Sequence, residues 1–422
     1  MSEASNLAVS FGVVVVAAAG NAGDRPYIVG SPASAPGVIA VAQTQVPTAT
    51  AIPLVINAPP AIAGSYPNTA TLDFAPVSTA VTGNVSFVGR GCPADSIAPG
   101  SPADAYLDNP SGKVALIDRG SCSVSLKIDR AAKAGATAVL IGLVAAGDAI
   151  PFAFGGGTDF VPTLVITLAT STLIKANLAA PVNVTISPFL SIPLVTGVVS
   201  SSSRGPASSD TAIKPDIGAP GGSVSAVVGS GTGEMAFSGT SGATPMVSGS
   251  AALLVQAYPE RPPEEIKAIL MNTASTNVFT NPATLPGALA PITRIGGGEV
   301  RVDQALESRT AAWDAKTNAG SLSFGYEAAS GPTVLSRRVS LRNYSDRRRT
   351  YQITPQFRYA NDQTSGAVQF DVPSTVTVAA HDPGPSLRRQ LLSRRTAGRD
   401  ATSPSRAERL RSRMRSARGM PD

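Results

Sequence analysis

An α/β fold, interrupted by a β-rich insert and followed by a β-sandwich-like segment, is predicted by three observations. Gly12 to Gly20 reads Gly-Val-Val-Val-Val-Ala-Ala-Ala-Gly, a continuous apolar, β-branched run closed by glycine, as in a parallel strand buried on both faces. From about Pro47 to Pro193 the texture changes to alternating Val, Thr, Pro and Ala with few helical patterns. Residues 320–380 alternate apolar and polar, as in Val339-Ser340-Leu341-Arg342, Tyr351-Gln352-Ile353-Thr354 and Val376-Thr377-Val378.

The elements follow in order. Residues 1–10 read as the end of a helix, Asn21 to Asp24 as a turn, and Val38 to Ala42 as a second strand. Inside the insert, Lys113 to Asp118 is a strand, Arg119 to Cys122 a turn, Ser125 to Ala134 an amphipathic helix and Ala138 to Ile141 a strand. Together they make a βαβ unit. Val198-Val199 is a short strand and Ser200 to Gly222 is loop-rich. Ser241 to Tyr258, rich in Ala, Ser and Gly, is a helix expected to be buried, with Pro245 in its first turn. Pro262-Pro263-Glu264-Glu265 opens another helix that runs to about Ala274. Residues 296–307 close the region with a glycine turn and a short helix. From Pro383 onward there is no apolar period. That stretch reads as a disordered basic tail, either genuine or the product of a misjoined reading frame.

Composition narrows the function. The formal charge of +6 is concentrated in that Arg-rich tail and the remainder is close to neutral, so the excess argues only weakly for a nucleic-acid partner and none is expected. The longest apolar run, Val13 to Ala19, is far shorter than the roughly 18 residues of a membrane span. Met1-Ser2-Glu3-Ala4-Ser5-Asn6 lacks the basic start of a signal peptide, so the reading is a cytoplasmic chain, a processed fragment or one cut short at its start. Cys92 and Cys122 are two thiols in a reducing compartment, or a disulfide if the chain is secreted. The bridge is favoured because both lie in one inserted segment. Sequons stand at Asn84, Asn183 and Asn343. No metal-ligating constellation and no cofactor motif is present.

The chemistry centres on Phe237-Ser238-Gly239-Thr240-Ser241-Gly242-Ala243-Thr244-Pro245-Met246-Val247. A nucleophilic serine needs an exposed hydroxyl beside groups that stabilise an oxyanion. A Gly-Thr-Ser-Gly run at a helix N-terminus supplies close backbone approach, free N–H groups and a favourable dipole. This run resembles the serine motif of the subtilisin-like serine proteases (subtilases). Gly242 stands where methionine is common in that family, and Met246 where histidine is common. Ala18-Ala19-Gly20-Asn21-Ala22-Gly23 resembles the family's oxyanion-hole segment. Ser201 to Pro206 and Lys214 to Gly221 resemble two of its structural signatures, in the expected order.

The resemblance implies a partial subtilisin-like parallel-sheet domain in residues 1–46 and 197–310. It implies a protease-associated domain in 47–196, carried by Gly112 to Cys122, Lys127, Ala131 to Ala134 and Gly135. A partial fibronectin-type-III-like sandwich is implied in 320–382, followed by the basic tail 383–422. Ser241 would attack the scissile carbonyl of a protein or peptide substrate. Asn21 and the Ser241 N–H would hold the oxyanion, Gly20 would line the substrate cleft, and Asp216 would be structural. Family members are secreted and order the triad Asp, His, Ser. Here the chain starts about twenty residues before Asn21, and its single histidine, His381, follows the serine and lacks the family's context. The expectation is a serine endopeptidase whose Asp and His come from a missing N-terminal half and which is inactive alone. The alternative is a non-catalytic binding protein using the insert and the sandwich.

Overall fold

The computed structural model describes residues 1–280, 288–328 and 331–381, and the backbone of 387–395. The chain divides into two compact units, Met1–Ser308 and Arg309–Asp422.

The first unit contains two principal sheets of unequal size, besides two two-stranded pairs. The smaller is parallel, with β1 (Val16–Ala18), β2 (Ile39–Thr44) and, from beyond the insert, β13 (Ile217–Pro220), in the order β1-β2-β13. Every residue of β2 is buried, as befits the central strand. The run Gly12 to Gly20 pairs only over Val16–Ala18, and Phe11 to Val13 are exposed. This corrects the expected nine-residue buried strand: β1 lies at the sheet edge, with a hydrogen-bonded neighbour on one side alone. The stretch read as loop, Ser200 to Gly222, contains β13. Val198-Val199 forms no strand; Val198 makes an isolated bridge to Thr44.

The larger sheet belongs to the insert. Its strands are β4 (Leu54–Ala58), β5 (Gly64–Tyr66), β6 (Thr69–Thr71), β7 (Val81–Gly89), β8 (Val114–Asp118), β9 (Ala138–Gly142), β10 (Thr163–Ile166) and β11 (Asn183–Ile186), in the order β5-β4-β11-β7-β8-β9-β10-β6. Strands β7 to β10 run parallel, and β8 and β9 are joined by helix α2 (Val124–Lys133). Alternate residues of these strands serve opposite faces. Val114, Leu116, Ala138 and Leu140 enter one core, while Ala115, Ile117, Val139 and Ile141 enter the other. Helix α2 buries Val124, Ile128 and Ala131 at helical spacing on the second face. Helix α3 (Leu168–Ala176) opens with Thr167 accepting a hydrogen bond from the Thr170 N–H. The insert leaves and re-enters the smaller sheet at adjacent points. The Gln45 N–H donates to the Gly197 carbonyl (2.8 Å), and β3 (Thr50–Ala51) pairs antiparallel with β12 (Ile192–Pro193).

After β13 come an exposed hairpin, β14 (Ser223–Ala226) with β15 (Glu234–Phe237), and helix α4 (Thr240–Ala257). Helix α4 packs on β1, β2 and β13 through Ala243, Val247, Ser250, Ala251 and Leu254. Its other face is open: Met246 is 56% exposed and Leu253 47%. The helix is thus buried on one side only, a correction to the expectation that it is buried throughout. Helix α5 (Pro263–Asn272) starts with Pro263 and two acidic residues, good company for a helix N-terminus, and is nearly all buried. Helices α1 (Ser2–Ser10), α6 (Ile292–Ile295) and α7 (Val302–Glu307) complete the unit.

The second unit holds two small antiparallel sheets. One runs β16 (Thr310–Asp314), β17 (Thr333–Asn343), β21 (Leu387–Arg395), β19 (Val368–Asp371). The other pairs β18 (Arg349–Gln352) with β20 (Thr375–Val378), and a short helix α8 spans Ala360–Ser365. Residues 387–395, read as part of a disordered tail, form a strand between β17 and β19; the rest of the tail, 383–386 and 396–422, lies outside the described residues. No helix among the described residues is long and apolar enough to cross a membrane.

Candidate active site

Parallel strands present their carboxyl ends together, and the segments that follow β1 and β13 lead directly to the predicted catalytic residues. Gly20 and Asn21 come just after β1; Gly221 follows β13; the N-terminus of α4 stands over both. Gly239 precedes the helix at φ 105°, a left-handed value that glycine adopts without steric cost. Thr240 is fully buried, while the next residue, Ser241, is exposed.

Asn21 and α4 are tied together. The Thr240 N–H donates to Asn21 Oδ1 at 2.9 Å, the Thr240 hydroxyl donates to the same oxygen at 3.1 Å, and the Gly20 N–H donates to Thr240 Oγ1 at 3.2 Å. With its carbonyl oxygen fixed, the Asn21 amide has one orientation, and its Nδ2 lies 3.0 Å from where a β-carbon on Gly239 would be. That nitrogen has no hydrogen-bond acceptor among the described residues. The Ser241 N–H is a first-turn donor, and it too has no acceptor among the described residues. One open donor thus belongs to the residue that bears the exposed hydroxyl, and the other to a side chain bonded to the residue before it.

Glycines set how closely the parts approach. A β-carbon on Gly242 would stand 2.1 Å from the Gly221 carbonyl oxygen. One on Gly221 would stand 2.5 Å from the Gly239 carbonyl oxygen. The helix end is thus seated directly on the loop after β13, and in this chain position 242 has no room for a longer side chain. Pro245 is the sixth residue of α4, in its second turn, which corrects the first-turn expectation. It removes an N–H that would bond the Ser241 carbonyl, and one residue earlier the Thr244 hydroxyl donates to the Thr240 carbonyl at 2.8 Å.

The two signature segments hold this arrangement from behind. Ser203 donates its N–H to the Gly20 carbonyl (2.8 Å), and its hydroxyl accepts the Ala22 N–H (3.0 Å). Arg204 and Arg294 both reach Asp24, at 3.1 and 3.2 Å. Gly20 itself has φ 105° and faces Ser203, whose Oγ lies 2.9 Å from a β-carbon built on it, so this position is built into the turn. Asp216 is fully buried between Lys214 (2.7 Å) and Lys267 (3.0 Å), and accepts the Ala40 N–H at 2.9 Å. Burial alone would raise its carboxyl, but the two ammonium groups hold it below the usual carboxylate range. Lys267 is pushed by burial down to about 8, against the pull of Asp216. Asp216 thus joins β13 to β2 rather than facing Ser241.

Sequence reasoning missed three contributors. Thr240 links Asn21 to the helix, Ser203 supports Gly20, and Gln43, at the end of β2, donates from Nε2 to Ser238 Oγ at 2.9 Å. The Gln43 Oε1 is buried without a hydrogen-bond partner. All three act across 181 to 220 residues of sequence, which no local pattern reveals. The only histidine, His381, is exposed in the second unit. Among the described residues no group of three His, Cys, Asp or Glu side chains could hold a metal ion. Cys92 and Cys122 are joined as a disulfide in the insert. The Asn343 side chain is fully buried, donating to the Arg347 and Ala379 carbonyls, so that sequon is closed to modification in the folded chain.

A model of the subtilase family (Peptidase S8) matches residues 1–288. The chain is 29% identical over 393 residues to the minor extracellular protease Vpr of Bacillus subtilis (strain 168), covering 91% of this chain and 44% of that protein. It is 43% identical over 117 residues to the subtilisin-like protease SBT3.16 of Arabidopsis thaliana, covering 26% of this chain and 15% of the relative. A psychrophilic subtilisin-like protease from Pseudoalteromonas sp. AS-11 aligns over 72% of this chain and 66% of its own, at 18% identity and a TM-score of 0.30. The chain spans less than half the length of these curated relatives.

Proposed function

The chain belongs to the subtilase family, and from that premise we propose that it carries the nucleophile and oxyanion hole of a secreted serine endopeptidase. Ser241 Oγ attacks the scissile carbonyl of a protein or peptide substrate, and the Asn21 amide and the Ser241 N–H receive the oxyanion. The observation that carries this reading is the bond from the Thr240 N–H to Asn21 Oδ1, which ties Asn21 to the residue before Ser241 and leaves its amide nitrogen free to donate. A preorganised donor of this kind works by costing no reorganisation when charge develops.

A serine hydroxyl at its own pKa is a weak nucleophile and needs a general base. Residues 1–308 contain no histidine. In our reading the imidazole and its aspartate are supplied by protein outside these 422 residues, and the chain on its own does not hydrolyse peptides. Loss of the histidine alone costs about 10⁶ in kcat in this family. Residues 47–196 serve as a protease-associated domain, and secretion is supported by the likeness to an extracellular relative. The single histidine also favours a second reading, a binding protein in which the insert and the second unit carry the interaction.

Labelling of the purified chain with a fluorophosphonate, with Ser241→Ala as control, tests the proposal. Slow labelling lost in the control, and accelerated when protein bearing the missing triad members is added, is expected. Rapid Ser241-dependent labelling by the chain alone would overturn the dependence on an external base. No labelling under any condition would leave the binding reading.

A further inference from the structure

Lys127, on helix α2, is completely buried. Its ammonium group has three protons and three acceptors: the Arg90 carbonyl at 2.5 Å, the Asp118 carbonyl at 3.1 Å and Cys92 Sγ at 3.4 Å. A disulfide sulfur is a weak acceptor for a buried ammonium, whereas a thiolate at the same place would complete an ion pair. The two sulfurs are unequally placed: Cys92 is sealed from solvent, while Cys122 is partly accessible. Cys122 also follows a constrained turn, with Gly120 at φ 122° and Ser121 at φ 68°, a value uncommon for a residue with a side chain.

We propose that Cys92–Cys122 is a thiol-exchange site in which Cys122 is the sulfur attacked and Cys92 is the leaving thiolate, held by Lys127. An external thiolate attacks Cys122 Sγ, the Cys92–Cys122 bond breaks, and its electron pair departs on Cys92 Sγ. The product is a mixed disulfide between Cys122 and the incoming thiol. With a dithiol, its second thiolate then attacks its own bound sulfur and releases Cys122. The dithiol is oxidised by two electrons and the protein pair reduced. Of the two dithiol protons, one goes to Cys122 and one to solvent, and Cys92 stays ionised. Exchange is faster when the leaving thiol has a low pKa, and a cation at contact distance lowers it.

The surroundings agree in sign. Arg130 donates to the Cys92 carbonyl at 2.9 Å, and Asp104 accepts the Cys92 N–H at 2.9 Å while being neutralised by Arg90 at 2.6 Å. Asp118 is likewise paired, with Lys175. Arg90, Lys127, Arg130 and Lys175 therefore outnumber the two carboxylates, Asp104 and Asp118, in this network. Burial pushes Lys127 down to about 8, with Asp104 pulling it back, so it carries its charge at neutral pH and gains by facing a thiolate.

The test uses the full chain. Oxidised protein treated with glutathione, acid-quenched and peptide-mapped is expected to carry glutathione on Cys122. Dithiothreitol reduction of Lys127→Met is expected to be at least about tenfold slower than that of the native chain. Independently, thiolate absorbance at 240 nm in Cys122→Ser is expected to titrate at least one unit below the ordinary thiol value of about 8.5. Glutathione on Cys92, or a midpoint at or above 8.5, would overturn the proposal. The absorbance titration keeps Lys127 in place and decides the matter even if Lys127→Met does not fold.

Discussion

The insert and the serine-bearing region reach order by different routes. In the insert, four parallel strands are covered on both faces by two apolar clusters. The serine-bearing region has a sheet of three strands, with an edge at β1 and a helix whose outer face exposes Met246 and Leu253. Its order depends on a few buried polar joints and on glycine-to-backbone contacts. Stability resides in the first and geometry in the second.

Asp216→Ala should separate the two most sharply. Removing one member of a buried ion group costs about 3–5 kcal/mol, because the partners are left uncompensated. Hydrogen exchange should then show β1, β2 and α4 opening while β8 and β9 stay protected; uniform opening would mean that the two regions are one cooperative unit. The same group gives a pH signature. The folded carboxyl lies below its ordinary 3.8, so its stabilisation is full above that value and is lost as pH falls through the folded pKa. Acid unfolding should therefore begin in the serine-bearing region, and Asp216→Asn should remove that onset. Leu140→Ala reverses the choice of region, with an expected loss of about 2–5 kcal/mol in urea unfolding, confined to the insert. Gly242→Ala is the smallest: the clash with the Gly221 carbonyl should cost about 1–3 kcal/mol and displace the Ser241 hydroxyl, read as lost fluorophosphonate labelling in a chain that still melts cooperatively.

The same contrast governs what the sequence disclosed. The βαβ unit from Val114 to Gly142 is legible almost to the residue, because unbroken apolar runs, an amphipathic helix and flanking glycines all act locally. Strand β13 is not. Ile217-Gly218-Ala219-Pro220 has a glycine and a proline in four residues, and it is a strand only because β2 lies beside it. Ser241 and Asn21 are legible through their motif neighbours. Thr240, Gln43 and Ser203 are not, since a side-chain bond spanning about two hundred residues leaves no period to read. Lys127 was visible as part of a motif, yet nothing in its neighbours announces a lysine with no exposed surface.

The meeting of the insert's ends, at Gln45–Gly197 and along Thr50–Ala51 with Ile192–Pro193, makes the smaller sheet a host whose loop closes itself. While the guest is folded, the host bears almost none of the entropy of joining β2 to the chain beyond it. Once the guest melts, the host must close an unfolded loop of about 140 residues, about 3 kcal/mol costlier than a four-residue turn. Melting of the guest is thereby felt at the nucleophile as a tax on chain entropy, whereas a substitution that weakens the guest but leaves it folded stays within it.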